Sequence, residues 1–207
     1  MTARDLVPFF RAWVSNPLGV GAVAPSGSAL GDAITAEITA ASAPVIELGS
    51  GTGVFARALI ARGVPEEKLV LVEYGSDFVR LLQYRFPAAR ILWMDAERLG
   101  KIDLFDGEGA GAVVSGLPLL SMPAKKVIAV LEGALRHMRS DGALYQFTYG
   151  PRCPVSPLIL DRFNLEAEQI GRALANLPPA GIYRLRRRRG TQLGVRSRGT
   201  PEHRSAA

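Results

Sequence analysis

From residue 45 to residue 150, short apolar runs alternate with amphipathic stretches. VIELG (45–49), entered through the small linker ASAP (41–44) and left through glycines, reads as a buried strand. GVFARALIARG (53–63) has helical periodicity and stops at Gly63. KLVLVEY (68–74) predicts the next strand, and DFVRLLQYRF (77–86) a helix halted by Pro87. ARILWMD (89–95) and AGAVVSG (110–116) predict a third and a fourth strand. KKVIAVLEGALRHM (125–138) predicts a helix and GALYQFTYG (142–150) a fifth strand. Strands alternating with helices imply βαβ units and a parallel sheet covered on both faces. Beyond 150 the pattern changes. NLEAEQIGRALANL and GIYRLRRR flank Pro178-Pro179, which predicts two antiparallel strands joined by a tight turn, with a helix over 164–176 as the competing assignment. The expected fold is α/β, with a seven-stranded, mostly parallel sheet, an antiparallel C-terminal strand and helices on both faces.

The N-terminal stretch has another periodicity. ARDLVPFFRAWV (3–14) puts Leu6, Phe9, Phe10, Trp13 and Val14 on one helical face and Arg4 and Arg11 on the other. Such an amphipathic helix, starting near Asp5, either lies in a lipid interface or packs over the domain. A glycine-rich loop, NPLGVGAVAPSGSALG (16–31), and a helix over 28–40 follow.

Charge changes the picture at the other end. From Arg184 onward eight arginines face one acid, a net +7 against +6 for the whole chain, so the rest sums to −1. That basic segment suits an anionic partner such as a membrane surface, or serves as a solvated tail. Residues 190–207 hold few apolar side chains, and disorder is expected there. The apolar runs are too short to span a bilayer, and no secretory signal pattern opens the chain. One cysteine, Cys153, suits a reducing compartment. His137 and His203 have no spaced partners, so no metal site is expected.

Candidate chemistry begins after the first strand, in Glu47-Leu48-Gly49-Ser50-Gly51-Thr52-Gly53. Its glycines allow a tight turn and let a ligand lie against bare backbone. The spacing is G-x-G-x-G, not the G-x-G-x-x-G of dinucleotide binders. Glu73 closes the second strand, where a carboxylate can accept from both hydroxyls of a ribose. Asp95 closes the third, where an acid can accept from an adenine amino group. A glycine turn in an ordinary sheet with surface acids is the plainer alternative.

Three acids at successive strand ends with a glycine loop resemble the class I S-adenosylmethionine-dependent methyltransferases, which have a Rossmann-like fold. The resemblance covers roughly 45–150 and implies S-adenosylmethionine as cofactor. Gly49, Ser50 and Gly51 would approach its methionine part and ribose. Glu47 would meet its amino end, Glu73 the ribose hydroxyls, Tyr74 the adenine face, and Asp95 with Ala96 the adenine edge. Ser115, at the fourth strand end, would lie near the sulfonium through its carbonyl, and Ser26 near the donor carboxylate.

The fourth strand runs into a bend, VVSGLPLLS (113–121). The scaffold is similar to that of the rRNA adenine dimethyltransferases, where this position reads Asn-Leu-Pro and an aromatic. Here Gly116 and Leu119 replace the Asn and the aromatic, which leaves a base without an anchor or a stacking partner. RNA adenine N-methylation is therefore the alternative rather than the first expectation, and no nucleic-acid partner is expected. FFRAWVSNPLGVGAVAPSG, VIELGSGTG, LVLVEYGSDF, SGLPLL, YQFTYG and NLPPAGIYRLRR together resemble the soluble bacterial phosphatidylethanolamine N-methyltransferases. These phospholipid N-methyltransferases convert phosphatidylethanolamine stepwise to phosphatidylcholine. The resemblance spans about 5–188. It implies a monomer in the cytoplasm, peripherally associated with an anionic membrane through the N-terminal helix and the basic segment. Residues 1–40 would cover the cofactor site, 41–189 would form the methyltransferase domain, and 190–207 would be the tail. Tyr149, at the end of the fifth strand, is the expected ring and hydroxyl beside the methylated amine. Tyr145 would face the same way or belong to the core. Leu117 and Trp13 would contact the lipid, and Arg184 and Arg186 its phosphate.

Overall fold

The computed structural model describes residues 25–174 and 179–188, apart from the side chains of Pro25 and Ser26. Five parallel strands come first: β1 (Val45–Leu48), β2 (Leu69–Glu73), β3 (Arg90–Trp93), β4 (Ala110–Ser115) and β5 (Met138–Thr148). Two more, β6 (Leu165–Ala173) and β7 (Ala180–Arg187), complete a sheet of order β3-β2-β1-β4-β5-β7-β6. β7 runs antiparallel to both β5 and β6. The expected seven strands and the antiparallel C-terminal strand are present, and the competing helix over 164–176 is not. The Pro178-Pro179 turn and the loop over 16–31 lie partly outside the described residues, and the helix over 3–14 and the tail over 190–207 lie wholly outside them.

Helices cover both faces. α1 (Pro25–Ile34), α2 (Val54–Ala61) and α3 (Ser76–Arg85) pack with Val45, Leu69, Leu71 and Val114 in one core. α4 (Ala124–His137) and α5 (Pro157–Arg162) pack with Ile46, Val70, Val72 and Val113 in the other. Every residue of β1 is buried, as in a strand covered twice. The strand order reverses between β1 and β4, and a crevice opens outside their carboxyl ends at such a point. Among the described residues no helix is long and apolar enough to cross a membrane.

Two boundaries and one helix differ from expectation. α1 ends at Ile34, not at residue 40. The Thr35 hydroxyl donates back to the Gly31 carbonyl at 2.8 Å, and the chain then turns to bury Ile38 completely. Leu30, Ile34 and Ile38 sit in the same core as β1, so residues 25–40 pack as part of the domain. β5 starts at Met138, directly after α4, because a bulge opposite Ala110–Ala112 absorbs the extra residues. α5 has no counterpart in the sequence reading. Its signal is Ser156-Pro157: the Ser156 hydroxyl caps the Ile159 N–H, with proline in the first turn.

Candidate functional site

The loop after β1 adopts its shape through glycine. Gly49, Gly51 and Gly53 all have left-handed backbone, at φ 71°, 51° and 79°. A Cβ on Gly49 would come within 2.8 Å of Leu117, and one on Gly53 within 2.3 Å of the Phe86 ring. Nothing lies within 4 Å of where a Gly51 Cβ would be, so its backbone is open to a ligand.

Glu73 holds this loop. One carboxylate oxygen accepts from the Gly51 N–H at 2.8 Å; the other accepts from Tyr74 at 2.8 Å and Gly75 at 2.7 Å. A carboxylate offers about four lone-pair positions. Contact with both ribose hydroxyls therefore requires release of at least one of these three bonds. Glu47 is 1% exposed and its Oε2 has no partner; the buried Ser50 hydroxyl has none either, among the described residues. Burial pushes the Glu47 carboxyl well above its ordinary range, the Glu73 charge adds to this, and a hydrogen bond from the Ala56 N–H opposes it.

β2 and β3 form one wall of a cleft of about 210 Å³ with Gly49, Glu73, Tyr74, Asp95, Ala96 and Leu117 on its surface. Asp95 caps the following 3-10 turn, its Oδ1 accepting from the Glu97 N–H at 3.0 Å, so one of its oxygens is already engaged. Tyr74 is 74% exposed, and its carbonyl accepts from the Trp93 indole at 3.0 Å. Lys126 and Glu97 form an ion pair at the edge of the cleft. The sequence reading passed over both, since a lysine on α4 and an acid two residues after Asp95 carry no signal until the elements pack. The unsatisfied Glu47 and Ser50 atoms, the open Gly51 backbone and the acids along the wall fit the amino-acid end, ribose and adenine of S-adenosylmethionine.

The bend lies across from this cleft. Ser115 is buried, and its hydroxyl accepts from the Leu117 N–H at 3.3 Å. A side chain on Gly116 would start 2.8 Å from the Gly49 carbonyl, so the bend and the glycine loop touch through backbone alone. Leu119 is 2% exposed, too buried to serve as a stacking surface. Beyond Leu117 is a smaller cavity of about 40 Å³, walled by Leu117 to Ser121 and by Phe147, Thr148 and Tyr149. The Tyr149 ring meets Phe147 edge-on at 5.5 Å, and Phe147 meets Phe55 at 6.1 Å. Leu117 borders both cavities. Gln146, also missed from sequence, donates to the Leu117 carbonyl at 3.0 Å.

Other expected site residues are not brought here. Arg184 pairs in mid-strand with Tyr145, below the crevice, and its guanidinium binds Glu37 at 2.7 Å and also Glu168. Arg186 lies two residues further from the strand ends that form the crevice. Both arginines thus stand along β7 away from the crevice, and Arg184 is held there by two acids. Tyr145 is core, 4% exposed, its hydroxyl donating to Glu37 at 3.3 Å. Trp13 and the Ser26 side chain lie outside the described residues.

No family model matches the chain. It is 29% identical over 185 residues to an ornithine lipid N-methyltransferase of Singulisphaera acidiphila, covering 87% of this chain and 95% of that one. A TehB-like methyltransferase of Corynebacterium glutamicum superposes with a TM-score of 0.60 at 13% identity, over 90% of this chain and all of that one. The 1,6-didemethyltoxoflavin-N1-methyltransferase of Burkholderia thailandensis gives 0.61 at 12% identity, over 89% and 88%. What the chain shares with these structures is the Rossmann-like class I methyltransferase fold.

Proposed function

We propose that this chain is an S-adenosylmethionine-dependent N-methyltransferase acting on the terminal amine of a membrane lipid, with phosphatidylethanolamine as the acceptor we favour. One observation carries the reading: a polar cleft and an apolar cavity meet at a single side chain, Leu117. The first has the partners a sulfonium nucleoside needs; the second has the aliphatic and aromatic walls an alkylated amine needs. Gly49, Ser50, Gly51, Glu47 and Glu73 would hold the amino-acid end and ribose, and Tyr74, Asp95 and Ala96 the adenine. S-adenosylmethionine supplies an electrophilic methyl group for in-line displacement by a nitrogen lone pair.

The chain's own part is to align and to dry. An ammonium must shed a proton before its nitrogen can attack, and an apolar cavity disfavours the charged form. Tyr149 and Phe147 present ring faces and edges to the head group as it gains methyl groups. Alignment of the two reactants can supply most of the rate. The basic segment from Arg184 and the helix over 3–14 would bring the protein to an anionic membrane from the cytoplasm as a peripheral, monomeric enzyme.

A second lipid is favoured by the relative in Singulisphaera acidiphila, whose acceptor is an ornithine lipid. Phosphatidylethanolamine and ornithine lipid both end in a primary amine. The test is transfer of labelled methyl to vesicles of either lipid and to total RNA. Label in phosphatidylethanolamine supports the first reading and label in ornithine lipid alone supports the second. Label in RNA alone defeats both.

A further inference from the structure

Six large apolar side chains among the described residues stand well out into solvent, and four of them are at one end of the sheet. Tyr74 follows β2 and Trp93 closes β3, on the donor side. Leu120 follows β4 and Leu174 follows β6; they are 45% and 72% exposed. β6 runs parallel to β5, since both are antiparallel to β7, so all four residues lie at carboxyl ends, where the crevice opens. Tyr84 and Leu158 are the other two, on α3 and α5. α3 runs back from the crevice, and Tyr84 is one residue from its far end.

The acceptor-side leucines flank the smaller cavity. Thr148 in β5 and Arg172 in β6 both pair with Gly181 of β7, so the three stand in a row on one face of the sheet. Thr148 lines the cavity. Two strand spacings put Arg172 about 10 Å from it. Leu174 comes two residues later, just past the strand. On the other flank Leu120 itself lines the cavity. A Cβ on Gly150 would come within 3.0 Å of the Leu120 side chain, and the Arg152 carbonyl is 4.0 Å from the same point. Arg152 and Arg172 are both exposed, and neither forms a salt bridge among the described residues.

Solvent-facing leucines beside unpaired arginines suit a lipid interface. The leucines enter the acyl boundary and the guanidinium groups meet anionic head groups. We propose that Leu120, Leu174, Arg152 and Arg172 form the surface that seats on an anionic phospholipid bilayer, with the smaller cavity opening onto the head groups. This rests on the lipid-amine reading above. A lipid amine stays close to the bilayer plane, so the cavity that takes it must be brought to that plane. The basic segment from Arg184 adds attraction, whereas this rim fixes which way the cavity faces.

The experiment places an environment-sensitive fluorophore at Leu174→Cys or at Tyr84→Cys, each in a Cys153→Ser background that retains S-adenosylhomocysteine binding by calorimetry. On phosphatidylglycerol vesicles the probe at 174 should brighten and shift to the blue, while the probe at 84 should not. Equal shifts at both positions, or no shift at 174, would overturn the proposal, whether or not the protein sediments with the vesicles. A shift at 174 that grows with protein concentration in the absence of lipid would give this face to a second copy of the chain and overturn it as well. The double variant Arg152→Gln, Arg172→Gln changes only exposed side chains. It should bind the vesicles about tenfold more weakly at low salt, as expected when two cations leave an anionic surface. Unchanged affinity would count against the rim. The same variant should methylate dispersed dihexanoyl phosphatidylethanolamine within about twofold of the wild type, inside the usual scatter for surface changes. Transfer to that dispersed lipid needs no bilayer, so it tests the lipid-amine reading by itself. Transfer without insertion at 174 would leave that reading standing and remove this one. Insertion without transfer would keep the seat on the bilayer and defeat the choice of acceptor.

Discussion

The two cavities that meet at Leu117 are built from different materials. The larger is lined by Gly49 after β1, by the carboxylates Glu73, Asp95 and Glu97 at and after the ends of β2 and β3, and by Lys126. The smaller is lined by leucines, a proline and aromatic rings from the bend and the end of β5. The first recognises through directional bonds; the second excludes water and sorts by shape. A substitution in one should therefore change donor binding or acceptor use, but not both.

Glu73→Ala should have the largest effect and should respect that division. It removes the acceptor for three N–H groups, one of which belongs to the glycine loop. Hydrogen bonds to a charged group are worth about 1.5–3 kcal/mol, so S-adenosylhomocysteine affinity should drop on the order of 100-fold by calorimetry. Binding to phosphatidylethanolamine vesicles should stay within about twofold, inside the usual scatter for surface changes. An equal fall in vesicle binding would mean that the cavities are not independent.

The larger cavity was also the more legible in sequence. Its residues sit at strand ends, and strands buried on both faces announce themselves as apolar runs. Glu47, Glu73 and Asp95 could be placed from where those runs stop. The bend was legible as a bend, because Ser-Gly-x-Pro ends a strand. Gln146 was not, since a glutamine inside a strand reads as any polar residue until β5 pairs with β4 and sets it beside the bend. Arg184 misled for the same reason. A run of arginines reads as an anion site, yet Glu37, 147 residues earlier in the chain, is the acid that meets it. Contacts of that sequence separation leave no local pattern.

Glu47 sharpens the contrast from the side of stability. Its carboxyl titrates well above the ordinary range in the folded protein, chiefly through burial. The native state then binds a proton that the unfolded state has released, so stability falls as pH rises above about 4.5, the ordinary value, toward the raised one. The slope is at most about 1.4 kcal/mol per pH unit. Glu47→Gln should remove that slope, giving a variant more stable than the wild type at neutral pH by urea denaturation, yet weaker in S-adenosylhomocysteine binding. A wild-type profile with no such decline would mean that Glu47 shares the site with an unrecognised donor.

The smallest effect is expected from Arg184→Ala, and it bears on how far the acceptor side extends. Arg184 is held by Glu37, just past α1, and by Glu168 in β6, with its side chain 16% exposed. Removing it breaks both pairs and should cost about 1 kcal/mol or less of stability, as partly solvated ion pairs do. Glu37 would keep only the Tyr145 hydroxyl near it among the described residues. Turnover of phosphatidylethanolamine and its KM should be unchanged, because the guanidinium sits mid-strand with its charge already matched. A rise in KM with an unchanged melting temperature would return Arg184 to the head group and extend the acceptor cavity down β7. A melting shift without a kinetic change would fix the role of this arginine as the strut between the segment after α1 and the sheet. The attraction to anionic lipid would then fall to the arginines that follow it, and their vesicle binding should weaken with salt while that of the Arg184→Ala protein weakens no more steeply than the wild type.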